Sequence, residues 1–175
     1  MPLQIINSFA TWILKKRIHQ MELFLKYPHE VQEELLFNLI KASENTQLGK
    51  KYDFSSMKSY TSFSERIPVS TYEELEPLIE KTRQGEQNVF WHSNIKWFAK
   101  SSGTTNAKSK FIPVSSEALE NCHYKASKDL LCLYLNNNEE SQMFTGKSLR
   151  LGGSKQLYED NNTFFGDLSA ILIDN

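Results

Sequence analysis

No stretch of this chain approaches the ~20 consecutive apolar residues that a membrane-spanning helix requires. The longest run, Leu130-Leu131-Cys132-Leu133-Tyr134-Leu135, falls far short. Cysteine is nearly missing: among 175 residues there are 2, Cys122 and Cys132. Both fall in one expected helix, and at about 100° per residue their spacing turns them well away from each other. Neither a disulfide nor a metal pair follows, and a reducing, cytoplasmic setting is the simplest fit. An excess of one charge is missing too. Twenty Lys and Arg oppose 21 Asp and Glu, leaving a net charge of −1, so no basic field is available to steer a nucleic acid. The one dense basic run, Lys15-Lys16-Arg17, is expected to be the solvated face of a helix. A secretory signal is not expected either. The apolar stretch from Leu3 to Leu14 is broken by Gln4, Asn7, Ser8 and Thr11, its positive charges come after it, and no small-residue cleavage site follows. His19, His29, His92 and His123 have no metal-ligand spacing and read as ordinary surface or core histidines.

What is present describes a globular chain. Apolar residues make up 39% and charged residues 23%, the balance of an ordinary soluble protein, and the length suits one core. Residues 3–26 read as an amphipathic helix, with Ile6, Phe9, Ile13, Met21, Phe24 and Leu25 as its apolar positions. A second helix over about 29–45 carries Val31, Leu35, Leu36, Leu39 and Ile40 on one face, with Pro28 at its first turn. The pair is expected to pack together. A short helix is placed around 57–65. Thr71, three residues before Glu74, forms a capping-box signature. The helix it opens should run towards Gln84 and close at Gly85, with a kink or early stop at Pro77. Ser115 or Ser116 should cap the strongest helix, about 116–136, ended by Asn136-Asn137-Asn138. Beyond it, 149–151, 155–158 and 163–165 read as short strands, with turns at Gly152-Gly153 and Asp160-Asn161-Asn162. A last helix starts near Gly166 and is capped by Asp167. Trp91, Trp97 and Phe98 are expected in a core around a strand, whereas Trp12 fits either the interior or a partner surface.

One segment carries chemistry. Strand-like Ile95-Lys96-Trp97-Phe98-Ala99 precedes it and Phe111-Ile112-Pro113-Val114 follows it. Between them stand Ser101, Ser102, Gly103, Thr104 and Thr105, then Lys108 and Lys110. Backbone N–H groups around Gly103 can converge as an anion nest, hydroxyls add donors, and lysines add charge. The composition suits a polyphosphate. A Walker loop is excluded, because Gly103 is followed by no second Gly, Lys108 arrives one residue early, and Phe111-Ile112-Pro113 is extended where a helix should open.

The segment resembles the Ser-Ser-Gly-Thr-Thr phosphate loop of the adenylate-forming superfamily. With the ordered set Tyr52-Asp53-Phe54, Ile67-Pro68-Val69, Tyr72-Glu73-Glu74-Leu75, Ser101 to Thr104, Lys110 and Pro113, the chain resembles one branch of it, the auxin-responsive promoter family of acyl acid–amido synthetases. Asn106-Ala107 depart from the Gly-Gly usual there. The resemblance implies a mixed α/β fold, namely N-terminal helices plus short strands forming part of the large N-terminal domain. The chain is read as a single incomplete domain over 1–175, with a helical pair over 1–45 and a partial nucleotide-binding region over 46–175. It is expected to be an N-terminal fragment of a longer enzyme, inactive alone. The parent would activate a carboxylic acid with ATP and Mg2+ and pass the acyl group to an amine. Ser101, Ser102, Gly103, Thr104, Thr105 and Lys108 would bind the ATP phosphates, with Lys110 as the catalytic charge partner. Its partners would be a small-molecule acid and an amine acceptor, with no nucleic acid and no membrane. Two rivals stand beside this reading: an acyl-CoA ligase of the same superfamily, and a non-catalytic interaction module built on the N-terminal helices, Trp12 and the basic cluster.

Overall fold

The computed structural model describes residues 8–9, 11–13, 16–101, 109–147, 149, 157–160 and 162–174. In chain order the elements are α1 (Ile18–Lys26), α2 (Pro28–Ser43), α3 (Gln47–Lys51), α4 (Tyr60–Arg66), α5 (Tyr72–Arg83), β1 (Trp97–Lys100), β2 (Phe111–Val114), α6 (Ser116–Ala118), α7 (Lys125–Asn137), β3 (Leu157–Asp160), β4 (Thr163–Gly166) and α8 (Leu168–Asp174). A 3-10 turn occupies Phe54–Ser56, and a π-helical turn over Leu119–Tyr124 joins α6 to α7. The chain divides into two compact units, Met1–Gln32 with Glu117–Leu151 and Glu33–Ser116 with Gly152–Asn175.

In the first unit the expected single helix over 3–26 is interrupted. Residues 8–9 and 11–13 are helical, Lys16 and Arg17 form a turn, and α1 begins after it. The turn presents Arg17 to α7: Nε donates to Asp129 Oδ1 at 2.8 Å and Nη2 to Oδ2 at 3.2 Å. This two-pronged charged pairing is stronger than a single neutral bond, and it ties α1 to α7. Arg17 therefore departs from the solvated face expected of the basic cluster, and Lys15 lies outside the described residues. Arg17 is spent on Asp129, and Lys16 Nζ lies 3.6 Å from the Trp12 ring centroid, with Trp12 55% exposed. The helix expected over 116–136 is present but changes pitch at its π-helical turn. It stops where the asparagines predicted, with Asn138 Nδ2 donating to the Tyr134 carbonyl at 2.8 Å. Cys122 and Cys132 on this rod are in no disulfide, the first exposed and the second buried.

In the second unit local signals set the helix ends. Thr46 is buried and caps α3, its Oγ1 accepting the Gly49 N–H at 3.0 Å and donating to the Ser43 carbonyl at 2.7 Å. Gly49 has no room for a side chain. A Cβ there would stand 2.8 Å from the Glu44 carbonyl oxygen and nearer still to that of Ser43. Ser59 and Thr71 open α4 and α5 with capping boxes completed by Ser62 and Glu74. Helix α5 does not stop at Pro77 but runs twelve residues to Arg83. Proline there deletes the bond to the Glu73 carbonyl, and Glu73 is exposed, so water can replace it. Gly85 then takes φ 94°, a conformation open to glycine.

The sheet order is β2-β1-β4-β3. β1 runs antiparallel to β2 and parallel to β4, and β3 runs antiparallel to β4. Phe98 sits opposite Pro113 on one side and Phe165 on the other. It is fully buried with Ile79 and Ile95, packed by Tyr72, Leu75, Phe90, Trp91, Phe111 and Phe165. Shielding a side chain of this size from water stabilises the fold by about 2–3 kcal/mol. A second cluster joins Ile40, Phe54 and Met57, packed by Leu36, Phe37, Leu48, Tyr52, Phe63 and Ile67. Trp97 tilts against Phe164 with centroids 4.9 Å apart, so the aromatic run does build a core. Asn162, with φ 62°, makes the turn between β3 and β4. Leu149 is not in a strand, while Arg150, Leu151 and the Gly152-Gly153 turn lie outside the described residues. The mixed α/β class expected from the sequence is the class observed.

Two measurements check this packing. Gly49→Ala should lower stability by about 1–3 kcal/mol in chemical denaturation, the cost of overpacking against backbone. Burial pushes the Cys132 thiol up from its usual range. A thiol reagent near pH 8 should therefore label Cys122 in the folded protein and Cys132 only after denaturation.

Candidate functional site

Two local structures meet at the base of the expected phosphate loop. The first is the start of α5. The Glu74 N–H donates to Thr71 Oγ1 at 3.3 Å, and the Thr71 N–H donates to Glu74 Oε2 at 2.7 Å. This reciprocal cap fixes Tyr72 and Glu73 on the first turn. The second is the β1–β2 hairpin. Its last strand pair is Lys100 with Phe111, and the ladder continues one rung further. The Ser101 N–H donates to the Lys110 carbonyl at 2.9 Å, and the Lys110 N–H donates to Ser101 Oγ at 3.2 Å.

Helix and hairpin are joined at residues 110–111. The Phe111 N–H donates to the Tyr72 hydroxyl at 2.9 Å. Lys110 Nζ lies 2.9 Å from Glu73 Oε1 and 4.8 Å from the Tyr72 ring centroid. The side chains of the ion pair are 40% and 66% exposed, Lys110 and Glu73 respectively. The hydrogen bond from Lys110 holds the Glu73 carboxyl below the usual carboxylate range. Behind this pair Arg83 stacks its guanidinium 4.1 Å from the Phe111 ring centroid while bonded to Glu80 at 2.8 Å. Thr163 Oγ1 donates to the Arg83 carbonyl at 3.3 Å, fastening the end of α5 to β4.

Of the residues singled out from sequence, Ser101 and Lys110 are thus brought side by side at the two ends of the loop. Ser102, Gly103, Thr104, Thr105 and Lys108 lie outside the described residues. Tyr72, Glu73 and Arg83 were not assigned a part. The sequence signals for the first two were their place directly after the capping residue Thr71 and their membership of the Tyr72-Glu73-Glu74-Leu75 segment. Elsewhere in the same unit an open cavity of about 420 Å3 is lined by Phe37, Ile40, Phe54 and Met57, with Lys41, Glu44, Ser55 and Lys58 completing it. It shares no residue with the hairpin base. Among the described residues no group of three or more His, Cys, Asp or Glu could hold a metal, and no helix is long and apolar enough to cross a membrane.

The geometry predicts a titration. Because Lys110 depresses the Glu73 carboxyl, the pair's stabilisation is present above the ordinary carboxylate range and is lost as pH falls through the Glu73 value. In Lys110→Ala the Glu73 carboxyl should titrate higher than in the wild type, read by its side-chain carbon resonance in an NMR pH series.

Comparison with known proteins gives a consistent picture. Residues 17–174 match the family model described as GH3 family N-terminal domain. Jasmonoyl-L-amino acid synthetase JAR4 of Nicotiana attenuata is 29% identical over 143 residues, covering 79% of this chain and 24% of that protein. Indole-3-acetic acid-amido synthetase GH3.2 of Arabidopsis thaliana is 30% identical over 106 residues, covering 60% of this chain and 19% of that protein. The solved structure of GH3.15 acyl acid amido synthetase superposes with a TM-score of 0.79 at 20% identity, over 91% of this chain and 29% of that one. At that identity the likeness shows the fold. The chain spans about a quarter of the length of the first of these relatives and about a fifth of the second.

Proposed function

This chain belongs to the GH3 family as an N-terminal domain, and from that premise we propose that it supplies the phosphate-gripping part of an ATP-dependent acid-amido synthetase. The observation that carries the reading is the hairpin base. Ser101 and Lys110 close a Ser/Thr-rich loop in register, and α5 braces it through Tyr72. Both relatives named above are amido synthetases, which favours transfer to an amine over transfer to coenzyme A. The family match spans the loop and α5 as well as the N-terminal helices, which speaks against an interaction module made of those helices alone.

In this mechanism the carboxylate of a small-molecule acid attacks the α-phosphorus of ATP. Pyrophosphate departs and an acyl-adenylate forms. An amine, such as that of an amino acid, then takes the acyl group. The departing pyrophosphate gathers negative charge, and donors placed at its oxygens stabilise that charge as it develops. Ser101 Oγ accepts the Lys110 N–H and still has its own proton to donate. Ser102, Gly103, Thr104, Thr105 and Lys108 complete the proposed cradle, and Lys110 brings a full positive charge to its edge. Magnesium is proposed as the counter-ion of the same oxygens. The attacking carboxylate is ionised at neutral pH, so no general base is required. A reducing, cytoplasmic setting belongs to the same proposal.

The test uses the polypeptide translated from the whole reading frame that contains these residues, assayed by acid-dependent ATP–pyrophosphate exchange. Thr104→Ala combined with Lys110→Ala should reduce exchange by about a hundredfold or more, the scale of losing a charge-stabilising donor. Exchange at the wild-type rate would overturn the proposal.

A further inference from the structure

Tyr72 and Glu73 belong to the Tyr-Glu-Glu-Leu stretch noted in the sequence; the mechanism above uses Tyr72 as a brace and leaves Glu73 without a task. Their placement supplies one. The Tyr72 hydroxyl holds the backbone N–H of Phe111, while the Lys110 side chain beside it pairs with Glu73 and overlies the Tyr72 ring. The backbone of the loop's exit is therefore fixed, and the ammonium at that exit is the part left able to change partner.

We propose that Glu73 is a positioning residue that parks the Lys110 ammonium beside the loop and surrenders it to the polyphosphate tail of the nucleotide. This inference rests on the phosphate-loop reading above. Its physics is a competition between two anions for one cation. The Glu73 carboxylate is mostly exposed, so solvent and salt screen its hold on Lys110. A polyphosphate carries several charges on closely spaced oxygens and binds the same ammonium through charge-assisted hydrogen bonds. In the Glu73-paired position the ammonium also rests on the Tyr72 ring, 4.8 Å from its centroid. Nucleotide affinity then reflects the difference between the two pairings, and Glu73 keeps the charge in place while weakening the grip.

Inorganic tripolyphosphate, the bare tail, is the probe, titrated calorimetrically into the 175-residue protein and into Glu73→Gln, Lys110→Gln and the double variant. Glu73→Gln should bind it about threefold more tightly, the size of one exposed ion pair. The gain should vanish in the Lys110→Gln background. In the wild type, tripolyphosphate should move the Glu73 side-chain carbon resonance towards its position in ligand-free Lys110→Gln. A purely structural role for Glu73 would leave that resonance still. Equal tightening with and without Lys110 would mean general repulsion by Glu73 and would overturn the exchange. So would unchanged or weaker binding by Glu73→Gln, or a Glu73 resonance that stays put while the ligand binds. If no variant binds tripolyphosphate at millimolar concentration, the phosphate-loop reading itself falls and takes the exchange with it.

Discussion

The larger unit turns on keeping one phenylalanine dry. Phe98 is the fully buried residue at the middle of β1, flanked by β2 on one side and β4 on the other. Side chains alternate along a strand, so a slip of one residue would turn Phe98 to the opposite face, where the small buried Ala99 leaves no space for its ring. Its burial therefore specifies the register of β1 against both neighbours at once. That register pairs Lys100 with Phe111, and the next rung brings Ser101 to Lys110. The geometry of the proposed cradle is inherited from an apolar contact several residues away. The loop carries the proposed chemistry, and Phe98 decides where the loop begins and ends.

Strength is distributed accordingly. The groups that set position are buried or reciprocally bonded: Phe98, Ile79 and Ile95 in the core, and the Thr71–Glu74 cap at the head of α5. The group that would meet a ligand is held by an exposed ion pair, which is easily exchanged. A site built the other way round, with its lysine buried in a strong pair, would have to break that pair before binding anything. Arg17 with Asp129 shows the contrast inside the same chain. There the side chains are 18% and 21% exposed and the bonding is two-pronged, which suits a fastening that never needs to open.

What could be read from the sequence was what is local. The Thr71–Glu74 box spans one helical turn, and its spacing alone predicts it. The apolar runs around Phe98 and Ile112 announced both strands of the hairpin, and the serine–threonine loop between them carries the phosphate chemistry that is proposed. The asparagines at the end of α7 and the glycine after α5 marked helix ends because their cause lies in the adjacent backbone. What stayed hidden was non-local or a matter of exposure. Nothing near Lys16-Arg17 foretells a turn, since its partner Asp129 lies 112 residues away. Pro77 is tolerated because the carbonyl it orphans is in an exposed turn, and local sequence does not report exposure. The parallel pairing of β1 with β4 and the ion pair of Lys110 with Glu73 join segments that only the folded chain brings together. The pitch change over Leu119–Tyr124 left no trace in the apolar spacing.

The outer margin of β2 has a consequence for how the sheet can grow. In this register alternate backbone groups of an edge strand face away from the sheet, and on β2 these belong to Phe111 and Pro113. The first has its N–H capped by a tyrosine hydroxyl, and the second, being proline, has none. A strand approaching from that flank would meet carbonyls and no donors. The β2 border is thus closed to pairing that needs its donors, and two residues placed for other reasons close it.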